Sequence, residues 1–194
     1  MNCDAKTEVK VEAKELLAMR IRGAVAVVGF IAVIVGANMS LAEWGIVSIG
    51  FGLSAPAGVY FAGLAFTMRD AVREFWGRKG VALAILVGAA VSFGLEDAQK
   101  FAIASGVAFL FSEAADSLVY ERIRDRGWLP AVAGSNVVGL VLDSAIFLWL
   151  AFGSLAFIEG QIVGKVYMTV LAIVVIWGVR RALPQWKHQT ASAS

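Results

Sequence analysis

The run from Gly23 to Met39, GAVAVVGFIAVIVGANM, carries no charged residue, and comparable runs recur along the chain. In hydrocarbon every backbone N–H and C=O must find its partner inside the protein, so only helices or closed barrels can cross. About 20 helical residues span the hydrocarbon core. Repeated apolar runs of that length restrict the fold to a bundle of transmembrane helices. Composition agrees. Of 194 residues 59% are hydrophobic and 16% charged, whereas soluble domains have about 45–50% apolar residues. A signal peptide is the rival reading of the first run, because Arg20 and Arg22 precede it and Ser40-Leu41-Ala42 resembles a cleavage site. The long mixed-charge leader and the spans that follow argue against it.

Five more spans follow. The region from Trp44 to Met68 is interrupted by GFGLSAP. Proline suits the first turn of a helix, so the second span is placed at 56–76, with residues 44–54 as an irregular outer segment. Gly50-x-Gly52-x-x-Ala55 matches a dinucleotide fingerprint on paper, but without a strand–helix context it reads as a turn. The remaining spans are Val81–Leu95, Gln99–Tyr120, Leu129–Phe152 and Gln161–Arg180. The expected fold class is an all-α integral membrane protein, a bundle of six transmembrane helices.

The basic residues orient it. With the N-terminus inside, all 17 except Lys100 and Lys165 fall in inner segments: the leader, 69–79 with Arg69, Arg73, Arg78 and Lys79, 121–128, and the tail. Glu43, Glu96, Asp97 and Glu159 fall outside. This is the positive-inside pattern, and it puts both termini in the cytoplasm. Trp44 sits at the outer boundary, and Trp76, Trp128 and Trp177 near the inner one, as an aromatic belt requires.

Polar residues inside spans cost free energy; a charge at mid-bilayer costs about 2.5–3.5 kcal/mol on insertion scales. The fourth span places Ser105, Phe109, Ser112, Glu113, Asp116 and Tyr120 on one arc. The fifth places Ser135, Gly139 and Asp143 four residues apart, with Asn136 beside them, and the sixth carries Lys165 near its outer end. Asp70 and Glu74 close the second span, with Arg73 between them. Glu113 and Asp143 lie deepest and must face protein or a wet cavity. Asp70, Glu74 and Asp116 near the inner ends are equally well explained by pairing with Arg73, Arg122 and Arg124. An Asp143–Lys165 pair is an expensive way to join helices where small residues suffice. Ala32-x-x-x-Gly36 and Ser135-x-x-x-Gly139 already permit close approach. The candidate substrate-binding residues are therefore Asp70, Glu74, Glu113, Asp116, Ser135, Asn136, Asp143 and Lys165.

Several chemistries are excluded. One cysteine, Cys3, rules out an internal disulfide framework and a cysteine metal site. One histidine, His188, leaves no catalytic histidine pair. The net charge of +2 is too small to suggest nucleic acid. No phosphate-binding loop of the Walker type occurs, so this chain does not hydrolyse ATP itself. A transporter, a membrane enzyme and a structural membrane protein remain. The enzyme lacks any recognisable catalytic set, and buried charges would be an odd expense in a purely structural protein. No cofactor is expected.

Three stretches and one lysine carry a resemblance. They are FTMRDAVREFWGRK with Asp70, Phe75 and Gly77; FAIASGVAFLFSEAADSLVYERIR with Ala104-Ser105, Ala108, Asp116, Arg122 and Arg124; GSNVVGLVLDSAIFLWLAF with Ser135, Gly139, Asp143 and Phe147; and Lys165. In this order they resemble the vitamin uptake transporter family, whose best-known members carry queuosine precursors. The resemblance runs from about residue 56 to residue 178. Glu113 stands where the family often has an amide, Leu140 replaces an amide, and Val175 replaces a proline.

The spans and charges divide the chain into a six-helix transmembrane domain at 23–181, expected to be the transporter domain, a polar cytoplasmic leader at 1–22 and a cytoplasmic tail at 182–194. The resemblance implies import across the plasma membrane of a 7-deazaguanine such as 7-cyano-7-deazaguanine. The alternative is a substrate-binding subunit for another vitamin-like molecule working with an energy-coupling partner. The expected partners are the small-molecule substrate and the lipid bilayer, with an energising partner or a homo-oligomer left open. A guanine-like edge offers two parallel donors that one carboxylate accepts together, and Phe109 or Phe147 would stack on the ring.

Overall fold

The structure, a computed structural model, describes residues 2–182. In chain order it comprises α1 (Asn2–Trp44), β1 (Ile46–Gly50), β2 (Leu53–Pro56), α2 (Val59–Phe93), α3 (Gln99–Ile123), α4 (Trp128–Phe152) and α5 (Ile158–Ala182). The tail expected beyond Ala182 lies outside the described residues. All five helices contain stretches long and apolar enough to cross a membrane.

α1 begins at Asn2 and continues without a break through the first apolar run, so the polar stretch before that run is helical over its described residues. The segment before the second span is not irregular. β1 and β2 form an antiparallel hairpin, with Ile46 opposite Pro56 and Ser48 opposite Ser54. Pro56 ends β2 rather than opening a helix, and α2 starts at Val59. The turn between the strands is built on positive φ at Gly50, Phe51 and Gly52, a region where glycine is at ease and a bulky side chain is not.

α2 holds 35 residues. A straight helix of that length would be about 52 Å long, far more than a bilayer core of about 30 Å. It is not straight: Gly77 has φ 64° and ψ −171° inside it, a conformation open essentially to glycine alone. Close approaches to α1 show what this break does. Side chains at Gly23, Gly29 and Gly36 would collide with Trp76, Met68 and Phe61, so α1 runs antiparallel to residues 59–76. Gly88 lies against Ile34, and Asn38 hydrogen-bonds Ser92 at 3.1 Å, so α1 runs parallel to residues 78–93. The chain therefore turns back at Gly77, and the two arms of α2 lie side by side along α1.

The other helices follow the same logic. Gly106 packs on Ala89 and Arg78 pairs with Glu121 at 2.7 Å, which sets α3 antiparallel to the second arm. Gly134 meets Ile123 and Gly139 meets Asp116, which sets α4 antiparallel to α3. Gly160 lies against Ser54, Gly164 against Val59 and Gly63 against Lys165 and Met168, so α5 runs alongside β2 and the first arm in the same direction. Glycines at contacts let backbones approach where lipid offers no hydrophobic drive between helices, and dispersion and close packing supply the attraction instead. The buried core fits this rule: Phe30, Ile34, Val72, Val81 and Ile85 are set among Ala26, Ala65 and Ala84.

The pattern of exposure is inverted relative to a protein in water. Val25, Val28, Leu83, Leu86, Ile103, Val170 and Val174 point outward. Asn38, Arg69, Glu113, Asp116, Asp143 and Lys165 are buried. A bundle with an apolar outer face and its charges inside is built for hydrocarbon, and the chain is a multi-pass membrane protein.

Candidate functional site

The polar residues of the bundle fall into two chambers, named outer and inner after the orientation expected from the basic residues. The outer one, about 30 Å³ in volume, is lined by residues 34–41 of α1, 56–65, Ser105 and Phe109, Asp143 and Phe147, and Gln161 and Lys165. The inner one, about 480 Å³, is lined by Arg69, Asp70, Arg73, Glu74, Arg78, Asp116, Tyr120, Val132, Ser135 and Asn136. On α2, α3 and α4 alike the boundary falls at one level, near Phe66, Glu113 and Gly139. A chamber of about 30 Å³ holds one or two waters.

In the outer chamber, Lys165 donates to a carboxylate oxygen of Asp143 and, at 2.8 Å, to the hydroxyl of Ser144. It is only 1% exposed, and its ammonium lies 5.7 Å from the centre of the Phe66 ring. The pair joins α4 to α5. Phe109 packs between Phe30 and Phe66, with ring centres 6.1 and 5.9 Å away. Asn38 ties three helices together. Its amide donates to Ile34 and Ser92 at 3.1 Å each, and its carbonyl accepts from Ser105 at 3.1 Å. Gln161 is 2% exposed, and its side-chain oxygen has no partner among the described residues.

At the inner chamber, Arg69 is 1% exposed. It reaches Asp70 at 2.9 Å, Asn136 at 3.3 Å and Glu113 at 3.3 Å. Arg73 donates to Asp116 at 3.0 Å and Ser117 at 3.3 Å, and lies 3.6 Å from Glu113. Two arginines from the first arm of α2 thus bind two carboxylates of α3. Both carboxylate oxygens of Glu113 and one of Asp116 accept no hydrogen bond from the described residues, although the ion-pair distances are short. The layer is held by charge more than by well-formed hydrogen bonds.

The eight residues expected to share one site do not. Asp143 and Lys165 line the outer chamber, and Asp70, Glu74, Asp116, Ser135 and Asn136 line the inner one. Glu113 stands between, bound by Arg69 and Arg73. Asp70 and Glu74 are exposed to the inner chamber rather than buried. The hydroxyl of Ser135 bonds Val132 within its own helix at 3.3 Å, and that of Ser112 bonds Phe109 at 3.0 Å. Gly139 makes room for α3, the close approach expected of it.

Arg69 corrects the sequence reading most. The basic-residue pattern counts it in the inner segment 69–79 as one more positive charge, whereas it is buried in the bundle opposite Glu113. Of the partners expected for the inner carboxylates, Arg73 takes Asp116, whereas Arg122 and Arg124 take none of them among the described residues and Asp70 takes Arg69. Arg69, Asn38, Ser144 and Gln161 are the polar residues that sequence reasoning missed. The signal available for Arg69 was its spacing of four from Arg73 on the helix bearing Asp70.

A protein-family model described as "Putative vitamin uptake transporter" matches residues 95–181. The match takes in α3, α4 and nearly all of α5, with Glu113, Asp116, Asp143, Gln161 and Lys165. It leaves out α1, the β-hairpin and α2, so the stretch FTMRDAVREFWGRK, with Asp70 and Glu74, falls outside it. No curated protein and no solved structure matches the chain. Over its α3–α5 half the chain is similar to a family of membrane transporters for vitamin-like substrates.

Proposed function

We propose that this chain is a transporter of the plasma membrane that imports a queuosine precursor, a 7-deazaguanine such as 7-cyano-7-deazaguanine, through six crossings with both termini in the cytoplasm. The reversal at Gly77 supports counting the arms of α2 as two crossings, and the basic bias of the inner segments supports the orientation. The observation that carries the functional reading is the buried Asp143–Lys165 pair on the wall of a chamber that also presents Phe109 and Phe147. A carboxylate paired with an ammonium can accept the donor edge of a guanine-like ring, and such charge-assisted bonds are the strong ones. Aromatic faces stack on the ring, adding about 0.5–1.5 kcal/mol per pair beyond area burial. Similarity over residues 95–181 supports a vitamin-like cargo.

The inner chamber, with its balanced arginines and carboxylates, is the release vestibule in this reading. The Arg69–Glu113 and Arg73–Asp116 pairs stand between it and the ligand chamber. Alternating access then consists of parting that layer on one side and opening the outer chamber beneath the β-hairpin on the other.

The test is rescue of queuosine in tRNA in a host that neither makes nor imports the precursor. Expression of this chain restores the modified nucleoside when the precursor is supplied, and charge-altered Asp143 variants do not. Absence of rescue at normal membrane abundance, with uptake of a different vitamin-like compound, favours the alternative cargo and an energising partner.

A further inference from the structure

The geometry points to Gln161 as the residue that reads a ligand N–H in the outer chamber, an inference that rests on the functional reading above. Gln161 is on α5, one turn before Lys165, so the two side chains share a helix face. Both line the same chamber. The other polar side chains on that wall are engaged within the protein. Asn38 bonds Ile34, Ser92 and Ser105; Ser105 bonds Ala102 and Asn38; Asp143 and Lys165 bond each other. The Gln161 oxygen is buried and accepts nothing from the described residues.

A buried acceptor without a protein donor is left to the one or two waters its chamber can hold, or to a ligand that displaces them. A fold that keeps one on a chamber wall has a use for it when a donor arrives. The same chamber presents Phe109 and Phe147, so the ligand class that suits this acceptor is a planar heterocycle carrying N–H groups. A site built to hydrogen-bond an N–H discriminates strongly against analogues that lack it, since a bound analogue displaces water and leaves the acceptor unpaired. Asp143 and Gln161 present two acceptors from two helices, which suits a ring with donors on more than one edge.

The experiment uses the full chain purified in detergent, with 7-cyano-7-deazaguanine as the probe, and reads both affinity and thermal unfolding. Gln161→Met removes the oxygen at similar volume. It should weaken binding by about tenfold, the effect of one lost hydrogen bond to a buried group. The ligand-free protein should melt at the same temperature or higher, because an acceptor without a protein donor has gone. A residue serving only the fold would do the reverse. Gln161→Glu keeps an acceptor oxygen and should bind more tightly than Gln161→Met. Binding by Gln161→Met equal to wild type overturns the inference. So does a ligand-free chain that melts lower, or fails to fold, in both variants. Failure of the wild-type chain itself to bind the probe is a separate result: it overturns the deazaguanine reading, and this assignment with it.

Discussion

Arg69 and Lys165 are the two most deeply buried cations among the described residues, and both lean on one ring. The guanidinium of Arg69 lies 5.1 Å and the ammonium of Lys165 5.7 Å from the centre of Phe66. Each charge is answered by carboxylate on its own side, Glu113 and Asp70 for Arg69 and Asp143 for Lys165. Phe66 therefore stands where the outer and inner chambers meet. An aromatic ring between two cations is a favourable neighbour to both and an apolar plug to any polar solute passing between them.

The Asp143–Lys165 pair should behave as a unit. Lys165→Met alone leaves a buried carboxylate uncompensated, and removing one partner of a buried pair costs about 3–5 kcal/mol. Lower membrane abundance and a lower unfolding temperature are expected. Asp143→Asn leaves the ammonium with Ser144 and Phe66, so it too should lower abundance. Removing both charges should recover protein level better than either single change. Strictly additive losses would show that the two do not couple. Uptake by the double variant should stay low, because its ligand wall has lost the carboxylate.

Gly77 is expected to tolerate no side chain. Nothing lies within 4 Å of a Cβ built there, so the obstacle is the backbone alone. Gly77→Ala forces a residue with a Cβ into a conformation that costs about 1–3 kcal/mol. The unfolding temperature in detergent should fall, and Gly77→Asn should do no better, because ψ of −171° lies outside the left-handed helical region that asparagine accepts. Unchanged stability in Gly77→Ala would mean that the turn between the arms has another shape.

Gly160 anchors the β-hairpin over the outer chamber. A Cβ at this position would come within 2.0 Å of the Ser54 carbonyl oxygen, a backbone atom with nowhere to go. Gly160→Ala should push β2 off α5 and destabilise the protein by about 1–3 kcal/mol, as overpacking does. Protease sensitivity at residues 46–56 should rise with it. A variant that melts and resists protease like wild type would separate the hairpin from α5.

Sidedness is testable with single cysteines in a chain whose Cys3 has been replaced. Phe51→Cys, at the tip of the β-hairpin and 90% exposed in the native residue, should react with a membrane-impermeant thiol reagent in intact cells. Arg78→Cys and Arg126→Cys should react only after lysis. Labelling of either arginine position from outside would reverse the orientation.

The apolar helices were legible in the sequence because the bilayer acts locally. About 20 apolar residues in a row are enough to cross whatever their neighbours are. The stretches 56–76 and 81–95 were separable for the same reason, although the structure joins them through Gly77 in one element. The two opposite charges at Asp143 and Lys165 could be matched in advance because they lie at similar depth in consecutive spans.

Depth within the bundle and the facing of neighbours were not legible, since both are set by how the helices slide and rotate against one another. Arg69 reads as an inner-segment cation until α3 brings Glu113 to it. Asn38 and Gln161 read as span-end residues until α1 and α5 turn them inward. Eight polar residues on amphipathic arcs read as one site, and the packing at Phe66, Phe109 and Gly139 divides them into two chambers. A local pattern carries which face is polar; only the assembled helices decide which polar faces meet, and which acceptor is left without a donor.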